Sequence, residues 1–541
     1  MGGAWQRTEV GGPRACERGE LPELLLVTAV LTSSVALGSV SEAFVLHEIS
    51  QHDSAIVLHL NDVGLARLGD IDTTGPITIP GLGTVIATSG SAISAAASAV
   101  GTATAPLTTL TDRVTTTAVC TAALSVAELS VPKLSVPKLS VPDAPPIPFI
   151  GPDGAVHGSD PNQLVQGTRF LQQLSLQPAD GIGAYIAAHR DMIDTLLANP
   201  PVASEVSGWW GSLDLTMRNS LRAASPSLVG NLDGIPYSIR DLANRALLKT
   251  TMTDLRAVIA GDSGRTVVEN AKVQLHMLQS ISDALGDSGS TSPRRTLMTL
   301  DVTGQGKAAI VLGDLRTADY VSYLVPGMFF TIENQMGDWV DAAANLYDEQ
   351  RSWLALLDPD GASKSVATVA WIGYHTPNLT NVGGIQNADE GRDSLAGAIE
   401  GLQAIRTGDE PYTTVIAHSY GSTAALMALT EYDFHVDALA MVGSPGSPAK
   451  SVKELHVTAG HVWVGEAAWD PIPNSSYFGS DPGSKSYGAK PMGVGGGLDS
   501  LTDQVLAASI GHNEYFSAGT ESMRNFALIG IDQGQYVSSG N

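Results

Sequence analysis

The sequence predicts an α/β fold, in which a mostly parallel β-sheet carries helices on both faces. A helical segment and a low-complexity N-terminal region are expected to precede it. The prediction rests on apolar, β-branched runs that alternate with helical periodicity over the second half of the chain. A hairpin is expected to open the sheet, because the runs 295–302 and 308–312 flank a Thr-Gly-Gln-Gly turn. Such alternation is typical of a sheet buried between two helical layers.

The expected elements after the hairpin follow one another in a regular order. Apolar runs predict strands at 319–325, 366–372, 413–416, 438–442 and 461–465. Helical periodicity predicts helices at 333–353, at 389–405 and directly after residue 421. Upstream, a segment that packs against the sheet is expected to hold helices at 162–174, 182–197, 238–259 and 265–285.

The reactive group is expected in the short stretch between Ala417 and Gly421. This stretch reads Ala-His-Ser-Tyr-Gly and joins a β-branched strand to an Ala-rich helix, with Ser419 at the turn. A serine on such a turn, beside a helix N-terminus that favours negative charge, suits a nucleophile in acyl transfer. Ala417 stands where glycine is usual. The alternative is an ordinary strand-to-helix turn that contains serine and glycine.

Chain order narrows the search for the acid and the base that would serve Ser419. When a serine lies on this kind of turn, the acid follows it and the histidine comes last. Asp470 follows the second strand after Ser419, and His512 is the only histidine C-terminal to Asp470. His512 would then carry the serine proton while Asp470 orients the imidazole. Glu466 is the reserve acid. Alternatively, Asp470 is a turn-forming aspartate before proline, and His512 is a histidine on a surface loop.

Two backbone N–H groups are the candidates for an oxyanion hole. A Pro-Gly-Met turn follows strand 319–325, so the N–H of Met328 is expected to point at the nucleophile together with that of Tyr420. The loop after strand 366–372 ends at the same edge of the sheet, which makes Tyr374 and His375 candidates for substrate contact. Pro-Gly is also a common turn without any chemical role.

A glycine-rich segment between Asp470 and His512 is a candidate flap over the site. Residues 475–488 and 492–497 contain few apolar side chains that would hold them, and their glycines leave the backbone free. The expected contacts to an acyl chain are Tyr477, Phe478, Tyr487 and Met492. The alternative is a plain surface excursion.

At this point the chain resembles the actinobacterial α/β-hydrolases of the domain-of-unknown-function 1023 group. The His-Ser-Tyr-Gly turn, the Val-Pro-Gly-Met turn and Trp-Asp-Pro-Ile ahead of a Gly-His loop carry the resemblance. A second signature lies in 209–245, with Trp-Trp-Gly-Ser-Leu, Gly-Asn-Leu-Asp-Gly-Ile-Pro and Arg-Asp-Leu-Ala-Asn-Arg. The resemblance implies the α/β-hydrolase fold with a triad at Ser419, Asp470 and His512, and it implies no substrate.

Composition excludes several classes of protein. The 541 residues carry a formal net charge of −25, which argues against binding to nucleic acid or to an anionic membrane surface. Cys16 and Cys120 are the only cysteines, and they form neither a zinc signature nor a disulfide framework. Dinucleotide-binding, phosphate-binding and calcium-binding motifs are also missing from the sequence. No cofactor and no metal are expected, and the oligomeric state stays open.

Four regions are expected along the chain. An Ala/Ser/Thr-rich region spans 1–129, and a linker spans 130–152, where Ser-Val-Pro-Lys-Leu repeats place a proline every five residues. The helical segment spans 153–290 and the catalytic domain 291–541. Only the apolar stretch 24–40 offers a route to membrane association, as a signal or an anchor, although acidic residues interrupt the positive charge before it. The alternatives for this stretch are a buried helix or an incorrectly chosen start codon. A cytoplasmic location is favoured, with secretion or anchoring as the alternative.

Two classes of function follow from these observations. The first is a serine hydrolase that forms an acyl-enzyme, most readily on a carboxylic ester with a small or lipid-like acyl group. The second is a non-catalytic module of the same fold that binds a partner or the cell envelope. The presence of Ser419, Asp470 and His512 in the expected order favours the enzyme.

Overall fold

The computed structural model describes residues 77–79, 83–85, 161–286 and 292–540. Strands β1 (Ile77–Ile79) and β2 (Gly83–Val85) pair in antiparallel fashion in one compact unit, and residues 161–540 belong to another. The predicted linker 130–152 and the apolar stretch 24–40 lie outside the described residues. Within the described ranges, no helix has the length and apolarity that a bilayer span requires.

An eight-stranded sheet forms the centre of this second unit. Its strands are β3 (Arg295–Asp301), β4 (Lys307–Leu312), β5 (Tyr320–Val325), β6 (Val366–Ile372), β7 (Tyr412–His418), β8 (Ala438–Val442), β9 (Val462–Gly465) and β10 (Lys490–Pro491). Their spatial order is β10-β9-β8-β7-β5-β6-β4-β3. The β3–β4 and β4–β6 pairs are antiparallel, and the other pairs are parallel. The predicted mostly parallel sheet with an antiparallel hairpin at its edge is therefore confirmed.

Helices surround the sheet and fill the segment that precedes it. In the leading segment they are α1 (Pro161–Ser175), α2 (Ile182–Ala188), α3 (Arg190–Ala198), α4 (Ala203–Ser212), α5 (Leu215–Ala224), α6 (Pro226–Asn231), α7 (Tyr237–Ala260) and α8 (Arg265–Leu285). After the first strands come α9 (Ile332–Leu357), α10 (Gln386–Ile405), α11 (Tyr420–Glu431) and α12 (Glu521–Ile529). A small hairpin of β11 (Gly497–Leu498) and β12 (Val505–Leu506) lies between β10 and α12.

Both faces of the sheet are buried, and the strands alternate between two hydrophobic layers. Leu324 of β5 and Ile416 of β7 belong to the layer that also contains side chains of α8, α9 and α12. Tyr323 and Val415, one position earlier on the same strands, belong to the layer formed with α10 and α11. This period of two explains why the strands read as continuous apolar runs. A third cluster is formed within α1–α7.

Side chains of the leading helical segment satisfy the free edge of strand β3. Asn231 accepts a hydrogen bond from Leu300 N (2.9 Å) and donates one to Leu300 O (2.9 Å). Leu297 N donates to Asp241 (2.8 Å), and Leu297 O accepts from Asn244 (3.2 Å). An exposed sheet edge invites pairing with another chain. The helical segment therefore covers an edge that would otherwise be open.

The signature in 209–245 has a structural basis in this contact. The buried Arg240 donates from Nε to Gly230 O (3.0 Å) and forms an ion pair with Asp233 (2.5 Å). Asn244 also donates to Gly230 O (2.9 Å), and a Cβ on Gly230 would stand 1.8 Å from the Asn244 side chain. Only glycine fits there. Arg240 and Asn244 also donate to the Thr299 hydroxyl and to Leu297 O of β3, so these signature residues fasten the helical segment to the sheet.

One predicted helix is interrupted. The expected helix 182–197 divides into α2 and α3 at His189, whose φ of −126° is not helical. The His189 ring stacks on Tyr185, and its Nδ1 donates to Tyr185 O at 2.7 Å. This side-chain bond competes with the helical backbone bonds, which is a local effect that periodicity does not reveal.

Candidate active site

Ser419 lies on a strained turn at the end of β7. Its φ of 52° and ψ of −130° are unfavourable for a residue with a side chain, and α11 begins at the next residue. The turn is held because Ser419 N donates to Val442 O (2.9 Å) on the neighbouring strand β8. Gly421 is required because a Cβ there would stand 2.2 Å from Pro326 O. The serine is thus lifted from the sheet beside a helix N-terminus.

Three side chains from different loops form a continuous hydrogen-bonded array. His512 Nε2 lies 2.7 Å from Ser419 Oγ, and His512 Nδ1 lies 2.9 and 3.0 Å from the two carboxylate oxygens of Asp470. Since Nδ1 faces the carboxylate, it carries the proton, and Nε2 is left as the acceptor for the serine hydroxyl. All three side chains are buried, and Ser419 is only 3% exposed. This is the arrangement in which an imidazole takes a serine proton.

The carboxylate of Asp470 is supported on every side. The Tyr515 hydroxyl donates to it at 2.6 Å and itself accepts from Ala467 N (2.8 Å), while Ile472 N donates at 3.0 Å. Burial opposes ionisation of this carboxyl group, but the neighbouring imidazole and the hydrogen bonds outweigh burial and lower the Asp470 pKa. Asp470 is therefore held as a fixed anion beside His512.

Glu466, the second candidate for the acid of the triad, does not face His512. Its carboxylate accepts from the Asn474 side chain at 3.1 Å and packs against Gly483. Burial raises its pKa. Asp470 reaches His512 because Gly443, at a φ of 59°, leaves room for both: a Cβ there would stand 2.9 Å from each. Of the two acids considered from the sequence, Asp470 is the one that contacts the imidazole.

His418 also belongs to this array and is not among the site residues predicted from the sequence. Its Nε2 donates to the backbone oxygen of His512 at 2.7 Å, and the two rings lie 4.7 Å apart. Burial, followed by the adjacent His512, lowers the His418 pKa to about 3, so this ring is neutral. Phe330 and Phe516 meet it edge-on. The only available signal was a histidine directly before the serine.

The two expected oxyanion-hole amides lie at the ends of the turns that meet at Ser419. Among the described residues, neither the N–H of Met328 nor that of Tyr420 has a protein hydrogen-bond acceptor. Gly327 packs directly on the serine, since a Cβ there would stand 2.5 Å from Ser419 Cβ and 3.1 Å from Oγ. Two backbone N–H groups without a protein acceptor, one next to Gly327 and one next to Ser419 in the chain, are what the expected oxyanion hole requires.

Tyr374 supports the Pro-Gly-Met turn, which corrects its expected role as a substrate contact. The ring is 1% exposed, and its hydroxyl donates to Pro326 O at 2.7 Å. The same loop adds two more bonds, from Phe329 N to Pro377 O (3.0 Å) and from the Thr376 hydroxyl to Phe330 O (2.9 Å). The only polar group of this side chain is therefore already engaged by the protein's own backbone. Tyr374 therefore positions the turn that presents the Met328 amide.

His375 is partly exposed and paired with acid. Its Nδ1 lies 2.9 Å from Glu390, which also accepts from Lys307 at 3.1 Å. Burial opposes ionisation of Glu390, but both partners outweigh burial and lower its pKa to about 2. His375 remains a candidate substrate contact.

In the part of the chain that the structure describes, no cluster of three or more His, Cys, Asp or Glu is arranged to hold a metal ion.

The glycine-rich segment is fastened to a neighbouring loop. Phe478 N donates to Pro445 O (3.3 Å), and Ser480 N donates to Ser447 O (3.0 Å). The ring of Phe478 meets Tyr420 edge-on at 5.3 Å, and Tyr477 packs on Phe478 at 4.8 Å. Tyr477 and Phe478 are both partly exposed and remain candidates for substrate contact.

Two other residues of this segment correct the expectation. Tyr487 and Met492 are 1% and 2% exposed and belong to the two hydrophobic layers of the sheet. They pin the segment to the core, so they do not serve as contacts on a free flap.

Comparison with known proteins agrees with this fold. Residues 301–480 match the model of an α/β-hydrolase family, a range that includes Ser419 and Asp470 and ends before His512. The uncharacterized protein Rv2079 of Mycobacterium tuberculosis is 27% identical over 389 residues, which cover 62% of this chain and 57% of that protein. The chain thus spans less than two thirds of that relative's length. The uncharacterized protein Rv0963c of the same species is 29% identical over 210 residues, or 37% of this chain and 77% of its own.

Solved structures are similar at low identity. An S-formylglutathione hydrolase from Agrobacterium tumefaciens is 12% identical, covers 45% of this chain and 95% of its own, and has a TM-score of 0.25. Carboxyl esterase 2 from Tuber melanosporum is also 12% identical, covers 47% and 90%, and has a TM-score of 0.27. TM-scores this low give no information about the substrate of this protein. The strand order and the family match together show that the chain has the α/β-hydrolase fold.

Proposed function

We propose that the protein is a serine hydrolase that acts through a Ser-His-Asp triad and an acyl-enzyme intermediate. The substrate we propose is a carboxylic ester with a small or lipid-like acyl group. One observation carries the proposal: an unbroken path of hydrogen bonds runs from Asp470 through both nitrogens of His512 to Ser419 Oγ. The strained backbone of Ser419 adds support, because strain of this kind is kept where function requires it.

The chemistry would proceed in two halves. Ser419 Oγ attacks the ester carbonyl carbon while its proton passes to His512 Nε2, and the resulting imidazolium then gives that proton to the departing alcohol. A water molecule next attacks the acyl-enzyme, loses a proton to the same nitrogen, and the acid is released as the proton returns to Ser419. Asp470 stabilises the imidazolium in both halves and stays ionised.

The negative charge on the carbonyl oxygen would be met by the amides of Met328 and Tyr420. Both N–H groups are without a protein acceptor among the described residues, so neither must give up a bond when the oxyanion forms. Preorganised donors of this kind contribute about 3–4 kcal/mol each to the stabilisation of the transition state. The N-terminus of α11 adds to the same field.

The surroundings of the array favour a neutral substrate. The ring beside His512 is the neutral His418, and Phe330 and Phe516 pack on it. An uncharged ester loses little on leaving water for such a site, whereas a charged acyl group would need a partner.

We propose that the chain belongs to the domain-of-unknown-function 1023 group, on the residues of its two signatures. Membership in that group names no substrate.

The test is covalent labelling of the full-length protein with a fluorophosphonate, followed by hydrolysis of activated esters. Ser419→Ala should lose both labelling and hydrolysis while it remains folded, and His512→Ala should lose hydrolysis. Ser352→Ala, on the exposed face of α9, is the matched control and should behave as the wild type. Labelling that persists at another serine would refute the assignment. A folded wild-type protein that neither reacts with the probe nor hydrolyses esters would favour the non-catalytic alternative.

A further inference from the structure

Trp469 differs from the other tryptophans that the structure describes. Its side chain is 73% exposed, whereas the remaining ones are at most 9% exposed. The buried group comprises Trp209, Trp210, Trp339, Trp353, Trp371 and Trp463. Trp469 also directly precedes Asp470 in the chain. An exposed indole at the acid of the proposed triad calls for an explanation in terms of binding.

The outward position of this ring is imposed by the backbone. Trp469 has a φ of 66°, which is unfavourable for a bulky residue. The conformation is held from both sides, because Asp470 N donates to Ala467 O (3.2 Å) and Gly511 N donates to Ala468 O (2.8 Å). The same bonds fix the acid and the loop of His512. The chain therefore holds the indole outside the core at the place where it builds the site.

Other exposed apolar side chains lie on the segment that leads to His512. Ile510 pairs with Ala468 in a parallel bridge, and Leu498 pairs with Val505 across the β11–β12 hairpin. Leu498 and Val505 are among the most exposed aliphatic side chains described. We call the set formed by Trp469, Leu498, Leu501, Val505 and Ile510 the apolar rim.

The apolar rim is held by internal contacts. A buried ion pair between Asp499 and Arg524 (3.0 Å) fastens the β11–β12 hairpin to α12. The backbone bond from Ser509 N to Val494 O (2.8 Å) anchors the segment that follows the hairpin. Apolar side chains that a rigid scaffold keeps in water are available for a partner, because they lose no internal packing when they bind.

The charge of the apolar rim indicates the kind of partner. Residues 495–516 contain no lysine or arginine, and the whole chain carries a net charge of −25. Of the acidic residues in that segment, Asp499 is paired with Arg524, Glu514 accepts from Ile510 N, and Asp503 is exposed, so the only charges are negative. A surface with a net negative charge gains nothing from such a face and is repelled by the rest of the molecule. An uncharged apolar surface matches it.

We propose that the apolar rim binds uncharged, lipid-like acyl esters at the surface of an aggregate, such as a micelle or a droplet. The proposal rests on the proposed hydrolase function and selects the lipid-like acyl class within it. Trp469 directly precedes Asp470, and Ile510 lies two residues before His512. A surface that contacts both side chains therefore lies next to the proposed triad. Contact there brings the acyl ester to a serine that is almost fully shielded from solvent.

The first experiment measures binding and does not depend on hydrolysis. The full-length protein is mixed with vesicles of phosphatidylcholine, and bound protein is separated by sedimentation. Trp469→Ser and Val505→Ser should each weaken binding about tenfold, because burial of one large apolar side chain contributes at least that factor. Leu356→Ser is the matched control, since Leu356 is 59% exposed at the end of α9, and its binding should not change. Stronger binding to vesicles that contain phosphatidylglycerol would overturn the proposal.

The second experiment separates this proposal from the proposed function. Hydrolysis of a soluble short-chain ester is compared with that of an emulsified long-chain ester. Val505→Ser, in the β11–β12 hairpin and outside the turn of Asp470, should lower the rate on the emulsion about tenfold and leave kcat/KM for the soluble ester unchanged. Equal loss on both esters would overturn the proposal, as would self-association that depends on Trp469. Wild-type protein that binds vesicles and hydrolyses neither ester would refute the hydrolase and leave the binding surface supported.

Discussion

His418 Nε2 donates a hydrogen bond to the backbone oxygen of His512, and this bond ties the residue before the nucleophile to the loop that carries the base. The rings of the two histidines lie 4.7 Å apart. Because His418 is neutral, it adds no positive charge beside an imidazole that must itself become positive during the reaction. We assign His418 as a positioning residue, distinct from the proposed triad.

Replacement of His418 by phenylalanine should keep a ring in place and remove the donor. The loop of His512 then loses its tie to β7, and a small misplacement of the base lowers kcat by roughly 10- to 100-fold with little change in KM. His418→Gln, which offers an amide N–H, should recover part of the loss. His435→Phe, at an exposed position, is the control. A variant His418→Phe with wild-type kcat would show that the bond does not position His512.

The same residue predicts how stability depends on pH. In the unfolded chain His418 binds a proton below its ordinary pKa of 6.5, whereas in the folded protein its pKa is about 3. The unfolded state therefore binds more protons between these values, and the free energy of unfolding decreases as pH falls from 6.5 toward 3. The slope from this residue approaches about 1.4 kcal/mol per pH unit.

Urea unfolding at pH about 6.5 and about 4.5 measures this contribution. His418→Phe has no group to protonate, so its free energy of unfolding should fall less over that range than the free energy of the wild type. All other titrating groups are common to both proteins and cancel in the comparison. Equal slopes would mean that His418 is already protonated in the folded state.

The fold was predictable because its signals are local. Buried parallel strands such as β6 are continuous apolar runs, and the alternation with helices implies the layers. The turn motif selected Ser419, and chain order then selected Asp470 and His512; the structure brings the three into contact, although their catalytic roles stay a prediction. Chain order was informative because only one histidine follows Asp470.

Tertiary contacts account for what the sequence did not reveal. Tyr487 and Met492 were expected on a free flap because their neighbours are polar and glycine-rich, yet each enters a hydrophobic layer of the sheet. Tyr374 was placed at the substrate because its loop ends at the correct edge, but nothing in the sequence shows that its hydroxyl reaches Pro326 O. The bond from Tyr515 to Asp470 likewise depends on how two distant loops meet.

Gly327 should tolerate no side chain. A Cβ at this position would stand 2.5 Å from Ser419 Cβ, so either the serine or the turn that carries the Met328 amide must move. Gly327→Ala should lower kcat/KM by at least about 100-fold, because displacement of a reacting group by an ångström has that effect. The measurement is hydrolysis of an activated ester by protein whose folding has been checked by thermal unfolding.

The matched control is Gly337→Ala. A Cβ on Gly337, inside α9, would meet nothing within 4 Å. This variant should keep full activity and gain about 0.5–1 kcal/mol of stability, because alanine favours a helix over glycine. If Gly327→Ala matched this control in kcat/KM, the close packing of the turn on Ser419 would have no part in the reaction.

Asn231→Ala should open the edge of the sheet. Its side chain accepts from Leu300 N and donates to Leu300 O, and both backbone groups would lose their partner. Leaving buried backbone groups unsatisfied costs about 2–3 kcal/mol, which urea unfolding would detect. Thr253→Ala is the control, since that hydroxyl bonds only to a carbonyl of its own helix at an exposed position.

Asn231→Ala should also self-associate on gel filtration, because β3 then presents unpaired groups. A monomeric variant of wild-type stability would show that the helical segment is not needed to cover this edge.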